Sequence, residues 1–185
     1  LGDVYKRQIE HRIFVRDNMN NKIQFEKVSN EQFYKDAKKY DFLVDAHTYD
    51  SIQLPKRATI GSAGYDFFMP ERQKIQPGQT IYIPTGIRCR MNHDIVLQIY
   101  PRSSLGFKYH LQLDNTVGII DSDYYDSNNE GHIIIKMTNH STEDRVLVLE
   151  KGDAFLQGIF LKYYITIDDE TFERRNGGFG STNKK

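Results

Sequence analysis

What narrows the fold most is a rhythm of short apolar runs, each closed by turn residues, from Phe42 to Leu161. Pro77-Gly78 divides Phe67-Phe68-Met69 from Thr80-Ile81-Tyr82-Ile83. Asn92-His93-Asp94 divides Gly86-Ile87-Arg88-Cys89-Arg90-Met91 from Ile95-Val96-Leu97-Gln98-Ile99-Tyr100. The polar stretch 139–144 lies between His132-Ile133-Ile134-Ile135-Lys136-Met137 and Arg145-Val146-Leu147-Val148-Leu149. Lys151-Gly152-Asp153 precedes Ala154-Phe155-Leu156-Gln157-Gly158-Ile159-Phe160-Leu161. Short runs rich in β-branched and aromatic residues, bounded by Gly, Pro, Asn and Asp, read as strands. Many such strands without helices between them argue for a sandwich or barrel, not a βαβ array. The expected class is all-β, in one main domain over residues 41–165, and 185 residues suffice to bury a core.

The start of the chain reads differently. Arg12-Ile13-Phe14-Val15-Arg16 and Ile23-Gln24-Phe25-Glu26-Lys27-Val28 look like strands around an Asn-rich turn. Ser29 followed by Gln32 has capping-box spacing, and Val28 and Phe33 suit a hydrophobic staple. Phe33, Ala37 and Tyr40 then recur at helical spacing, with lysines on the other face. Residues 9–40 are therefore expected to form an appendage of two strands and a helix. Residues 1–8 read into nothing that follows and are given no role; non-native sequence is one reading of them.

The chemistry concentrates in Asn115-Thr116-Val117-Gly118-Ile119-Ile120-Asp121-Ser122-Asp123-Tyr124-Tyr125. An apolar strand that ends in two carboxylates and two tyrosines can hold Asp121 at the rim of a cavity, which suits a general base. The plainer alternative is a strand ending in a solvated Asp-Ser-Asp turn. The C-terminal stretch 176–185 is Gly-rich around the lone aromatic Phe179, and such glycines let backbone N–H groups wrap an anion. Residues 166–185 read as a mobile arm.

Charge and cysteine narrow the partners. Lys plus Arg and Asp plus Glu both number 25, so nothing in the whole molecule pulls toward nucleic acid or acidic membranes, and any phosphate site is a local arrangement. No apolar run is long enough to span a bilayer, and no secretory signal is visible. The single cysteine, Cys89, permits no internal disulfide and fits a reducing, cytoplasmic setting. Strand alternation turns Arg88 and Arg90 away from it, so Cys89 is expected to be a small core residue. The histidines show no metal-ligand spacing.

Five segments stand out together. They are Ala63-Gly64-Tyr65-Asp66 after Leu54-Pro55-Lys56-Arg57-Ala58-Thr59; Pro101-Arg102-Ser103-Ser104-Leu105-Gly106; Gly118-Ile119-Ile120-Asp121-Ser122-Asp123-Tyr124; Gly152-Asp153-Ala154-Phe155-Leu156-Gln157; and Arg174-Arg175-Asn176-Gly177-Gly178-Phe179-Gly180-Ser181-Thr182. Each alone is weak. In this order and spacing, over residues 42–185, the chain resembles the trimeric dUTPase (dUTP diphosphatase) family in a bacterial or phage-like form. The resemblance implies a distorted jelly-roll β-barrel. It implies a homotrimer in which each active site draws on all three chains. The implied reaction is Mg²⁺-dependent hydrolysis of dUTP to dUMP and pyrophosphate, which limits uracil in DNA and supplies dUMP for dTMP synthesis.

The resemblance also assigns roles. Asp121 would deprotonate the attacking water, and Gln157 would bond an α-phosphate oxygen or that water. Arg102, Ser103 and Ser104 would bind phosphates. Asn115 would read the uracil edge, aided by the backbone of Gly118, Ile119 and Ile120, and Tyr124 would lie against the deoxyribose. Arg174, Gly180, Ser181 and Thr182 from another chain would grip the outer phosphates while Phe179 stacks on the base. Mg²⁺ would sit mainly on the triphosphate, with Asp66 reaching it through water. The chain departs from the family at Ser104, where Gly is usual, at Ala154, where Arg is frequent, and in the longer loop Asp126-Ser127-Asn128-Asn129. Two alternatives stay open: a dCTP deaminase or bifunctional deaminase–diphosphatase on the same fold, and a non-catalytic regulatory relative. A deaminase would need a general acid/base where the third motif offers no Glu, since Glu130 lies beyond the longer loop.

Overall fold

The computed structural model describes residues 23–171. The first strand expected from sequence, at Arg12–Arg16 by number, lies outside the described residues, as do Arg174, Phe179, Gly180, Ser181 and Thr182.

Strand β1, Gln24–Lys27, leads into helix α1, Asn30–Lys39. Ser29 caps the helix in extended backbone, and its Oγ accepts from the Gln32 N–H at 3.1 Å. Glu31 in the first turn and Lys38 and Lys39 in the last complement the helix dipole. Gln32, Phe33, Asp36 and Ala37 make the buried face, which is the i, i+4 stripe of a helix laid on a core. Only half of the expected capping box forms. Gln32 Nε2 turns along the helix to Asp36 Oδ2, at 2.8 Å, while the Ser29 N–H donates to Glu130. A carboxylate from a distant loop thus takes the place intended for Gln32.

The rest is antiparallel strand with short helices. After α2, Thr48–Ser51, come β2 (Lys56–Arg57), β3 (Tyr65–Phe68), β4 (Gln73–Ile75), β5 (Thr80–Pro84), β6 (Ile87–Arg90) and β7 (Ile95–Pro101). Helix α3, Ser103–Tyr109, interrupts them before β8 (Leu111–Leu113) and β9 (Gly118–Ile120). A 3₁₀ helix, Ser122–Asp126, precedes β10 (Ile134–Asn139), β11 (Leu147–Leu149) and β12 (Ala154–Lys162). The turns follow the expected punctuation. Gln79 N–H closes onto Gln76 O at 3.0 Å around Pro77 and Gly78, and Gly78 supplies the positive φ of 75° that the third position of such a turn requires.

Four sheets result, ordered β1-β6, β5-β10-β8, β11-β4 and β2-β3-β12-β7-β9. The architecture is the jelly-roll-like all-β fold expected from sequence. Strand β12 lies between β3 and β7 in the largest sheet, and Gly158 allows the close packing there. A Cβ at that position would stand 2.9 Å from both Leu97 Cδ1 and Phe67 Cε2. The core runs through Phe67, Leu97, Ile99, Ile133, Phe155 and Leu156 and takes in Val28 and Phe33 from the N-terminal strand and helix. Cys89 is buried opposite Phe25 on β1, while Glu26 meets Arg88, as strand alternation requires.

Candidate active site

Two cavities gather the motif residues, and they share no lining residue. The first, about 360 Å³, is lined by Leu113, Asp114, Asn115, Gly118, Ile119, Ile120, Tyr124, Ile134, Ile135 and Lys136. Its rim is the tight turn between β8, which pairs with β10, and β9, which pairs with β7. Thr116 N–H closes onto Leu113 O at 2.9 Å with a φ of 68°, which leaves Asn115 exposed at the tip. Gly118 is buried where β9 meets β7, and a Cβ there would stand 3.1 Å from Ile99 Cβ. The floor is apolar. The one ionic element among its lining residues is Asp114 with Lys136, at 2.8 Å, and Thr138 Oγ1 also donates to Asp114 at 2.7 Å. Burial raises the Asp114 carboxyl, but the bonds from Lys136 and Thr138 outweigh it and hold it below its ordinary value.

Tyr124 forms part of this cavity with its ring at 6% exposure. Its hydroxyl points away into the protein, donating to His132 O at 2.8 Å and accepting from Asn129 Nδ2 at 2.8 Å. What remains for a ligand is an aromatic wall. Asp121 follows β9 directly, half-buried in extended backbone, and its carbonyl accepts the Tyr124 N–H that opens the 3₁₀ helix. The apolar strand thus carries the carboxylate out of the core to a half-buried position; the expected place at a cavity rim is not seen, since Asp121 lines neither cavity.

The second cavity, also about 360 Å³, is lined by Ala58, Ser62, Ala63, Gly64, Asp66, Arg102, Ser103, Gln157 and Ile159. It unites the first, second and fourth motifs. The β3–β12 register sets Asp66 beside Gln157, and the β12–β7 register sets Gln157 beside Tyr100. Arg102 Nε lies 3.6 Å from Asp66 Oδ1, and the Arg102 side chain keeps 42% of its surface exposed. The guanidinium is therefore held by Asp66 at Nε and by Ala154 O, to which Nη1 donates at 3.3 Å, while its partly exposed surface suits an anion. Gly64 is needed for close approach, since a Cβ there would stand 3.0 Å from Gln157 Oε1. Ser104 is exposed on α3 and lines neither cavity. Among the described residues no group of three or more His, Cys, Asp or Glu side chains is arranged to hold a metal ion. The oxygens of Asp66 and Gln157 beside an exposed guanidinium instead fit a cation that arrives already coordinated by phosphate.

Within one chain the two cavities are held apart by β7. Ile120 pairs with Leu97 near one end of that strand, and Arg102 follows its other end, five residues further along. At the usual rise that is roughly 16 Å of strand between the partner of Ile120 and Arg102.

Sequence reading missed the Asp114–Lys136 pair. Asp114 adjoins Asn115 and was open to suspicion, but nothing local marks Lys136. It also missed the residues behind Tyr124, namely Asn129, His132 and Asp36. Glu130 is committed elsewhere, its two oxygens accepting from the Ser29 N–H at 2.7 Å and the Ser29 hydroxyl at 2.6 Å.

Comparison with known proteins agrees with this arrangement. The dUTPase family model matches residues 50–183. The chain is 44% identical over 134 residues to the deoxyuridine 5'-triphosphate nucleotidohydrolase of Lactococcus lactis subsp. lactis (strain IL1403), covering 71% of this chain and 88% of that protein. The crystal structure of dUTPase from Streptococcus mutans superposes with a TM-score of 0.59 at 36% identity, covering 77% of this chain and 97% of that one. A mutant dUTPase from phage phi11 of S. aureus, described as coordinating a structural Mg(II) ion, superposes with a TM-score of 0.57 over 83% of this chain and 98% of that one; at 18% identity this concerns the fold alone. No helix among the described residues is long and apolar enough to cross a membrane. With residues of the first four motifs gathered in two cavities and a family match over most of its length, the chain belongs to the dUTPase family.

Proposed function

We propose that this chain hydrolyses dUTP to dUMP and pyrophosphate, as a cytoplasmic homotrimer with shared active sites, so limiting uracil in DNA and supplying dUMP for dTMP synthesis. The observation that carries this reading is the division of labour between an apolar cavity of nucleoside size, rimmed by the β8–β9 turn, and a separate cavity lined by Asp66, Arg102, Ser103 and Gln157. The cytoplasmic setting rests on the lone, buried Cys89.

The base enters between Asn115 and the backbone of Gly118, Ile119 and Ile120. A tight hairpin leaves no space for the methyl group of thymine. The deoxyribose lies on the Tyr124 ring, which leaves no room for a 2′-hydroxyl. Asp121 accepts a proton from a water aligned with the α-phosphorus, and the oxygen of that water forms the new bond as the bond to the β-phosphate oxygen breaks. Arg102 and Ser103 hold phosphate oxygens, Ser104 adds a contact from α3, and Gln157 donates to an α-phosphate oxygen or holds the water. When bound on the triphosphate, Mg²⁺ neutralises the charge gathering on the departing pyrophosphate. Asp66 and Gln157 offer oxygens on that side, Asp66 through water. The stretch of β7 between the partner of Ile120 and Arg102, roughly 16 Å at the usual rise, supports a site completed by a second copy. Arg174, Phe179, Gly180, Ser181 and Thr182 are assigned to a third.

The test is pyrophosphate release from each nucleoside triphosphate with Mg²⁺. dUTP should turn over far faster than dTTP, dCTP or UTP. Comparable turnover of dCTP with ammonia release would move the chain to the deaminase branch, a role for which Glu130, bound to Ser29, is badly placed.

A further inference from the structure

The loop after the third motif is tied to the N-terminal helix by a run of buried polar contacts that the reaction does not use. Tyr124 hydroxyl donates to His132 O, and Asn129 Nδ2 bridges that hydroxyl and the same carbonyl, at 2.8 and 3.2 Å. The His132 side chain is fully buried. Its Nε2 accepts from the Gly86 N–H at 2.8 Å, which places the proton on Nδ1, and Nδ1 donates to Asp36 Oδ2 at 2.7 Å. Asp36, on α1, accepts from Gln32 as well. Two more ties flank this run. Ser29 holds both oxygens of Glu130, and the Tyr125 hydroxyl donates to Glu26 Oε2 at 2.6 Å beneath the guanidinium of Arg88.

Packing α1 on the core does not require any of this. A buried carboxylate–imidazole pair is expensive to desolvate, and an apolar pair of the same volume would seal the interface at least as well. What such a polar run adds is a fixed position for its members, although Asn129 Oδ1 is buried without a hydrogen-bond partner. The member at its far end is the ring that walls the nucleoside cavity. A ring excludes an extra hydroxyl only if it cannot recoil, and Tyr124 is anchored from behind at its one polar atom by two partners.

We propose that Asp36, His132 and Asn129 are positioning residues that lock the Tyr124 ring in place, so that rejection of ribose is set in part from the N-terminal helix. This rests on the reading of Tyr124 as the wall beside the sugar. It also gives the longer loop a purpose, since Asn129 is the residue that loop delivers.

The experiment compares kcat/KM for dUTP and UTP in the full chain and in Asn129→Ala, Asp36→Asn, Tyr124→Phe, Tyr124→Leu and Lys35→Gln. The ratio of the two values does not depend on how much of each sample is folded, so a merely structural role leaves it unmoved. Loosening the anchor, by removing one of its bonds in Asn129→Ala, both in Tyr124→Phe, or the support of His132 in Asp36→Asn, should lower the dUTP:UTP ratio about tenfold, mainly through faster UTP turnover. Lys35→Gln, exposed on the same helix, should leave it unchanged. If Tyr124→Leu collapses the ratio while Asn129→Ala and Tyr124→Phe keep it, the run is scaffolding and the proposal falls while the sugar-wall reading stands. If Tyr124→Leu also keeps the ratio, the sugar-wall reading fails and takes the proposal with it. Should Asp36→Asn not fold, Asn129→Ala and Tyr124→Phe decide the matter, because neither leaves a buried charge unpaired.

Discussion

Asp121 and Arg102 stand at opposite ends of β7: Asp121 leaves β9 just past the Ile120–Leu97 pair, and Arg102 follows Pro101. On the proposed reading, this separation assigns the base and the phosphate clamp of one site to different copies. Chains that are each inactive should therefore complement one another. An equimolar mixture of Asp121→Asn and Arg102→Ala chains, unfolded and refolded together, should recover up to roughly a quarter of wild-type turnover, the share of sites that draw both intact residues from different copies. Each variant alone should stay inactive. A mixture no better than its components would show that both residues act from the same chain.

Asp121→Asn should abolish most turnover and leave dUTP binding largely intact. The amide keeps the shape but cannot take the proton of the water, and losing a general base typically lowers the rate ~10²–10⁴-fold. Single-turnover kinetics beside calorimetric titration with a non-hydrolysable analogue separates the two effects. A variant turning over near the wild-type rate would remove Asp121 from this role.

Gly158→Ala should destabilise the fold. Its new methyl would press on Leu97 and Phe67 at 2.9 Å, in the middle of the largest sheet, where neither neighbour has room to yield. Overpacking of this kind costs ~1–3 kcal/mol, a drop of several degrees in Tm. Gly61→Ala, with nothing within 4 Å, is the matched control and should melt like wild type.

Cys89 should be inert in the native protein. Burial, and after it the carboxylate of Glu26, pushes the thiol up to about 12. At neutral pH almost no thiolate exists to attack a disulfide reagent. Labelling with a chromogenic disulfide should follow global unfolding in denaturant. Stoichiometric reaction of the folded protein within minutes would contradict the burial.

Asp36 should shape the acid limb of stability. Burial pushes its carboxyl up, but the hydrogen bonds from His132 and Gln32 outweigh this and hold it below the ordinary 3.8. A folded value below the unfolded one means that ionised Asp36 contributes stability above 3.8, and that the contribution is lost as pH falls through the folded value. The Tm difference between wild type and Asp36→Asn should therefore hold steady from about pH 7 to about pH 5 and narrow only below 3.8. A gap that closes nearer neutrality would assign the titration to another group.

What could be read in the sequence was local. Ser29 and the spacing of Phe33 and Ala37 marked α1, because a cap and a helical stripe are short-range features. Pro77 and Gly78 marked a turn because only certain residues adopt its angles. Helix α3 went unread, since seven residues around Gly106 with no buried face carry no periodic signal. The partner of Gln32 was misjudged for a different reason. Its spacing from Ser29 suited a capping box, but Glu130, a hundred residues on, competed for the same N–H and won. The site followed the same rule. Motif order pointed to Asp121, Arg102 and Gln157, yet the gathering of Arg102 and Gln157 in one cavity, away from Asp121, depends on which strands pair across β7, and no stretch of the chain records that. The His132–Asp36 contact is equally silent, a pairing of residues 96 positions apart.

The three ties that bind the N-terminal strand and helix to the loop after the third motif join residues 96 to 101 positions apart. On the ribosome this imposes an order. Helix α1 is made early, but at ten residues it is too short to persist alone. Its polar partners emerge only after roughly 100 more residues, which at bacterial elongation rates takes on the order of 5–20 s. Until then Phe33 and Ala37 have no complete surface to cover them. The segment translated about a hundred residues before its partners is thus among the last to dock, and nascent chains stalled before His132 should be the ones that chaperones hold.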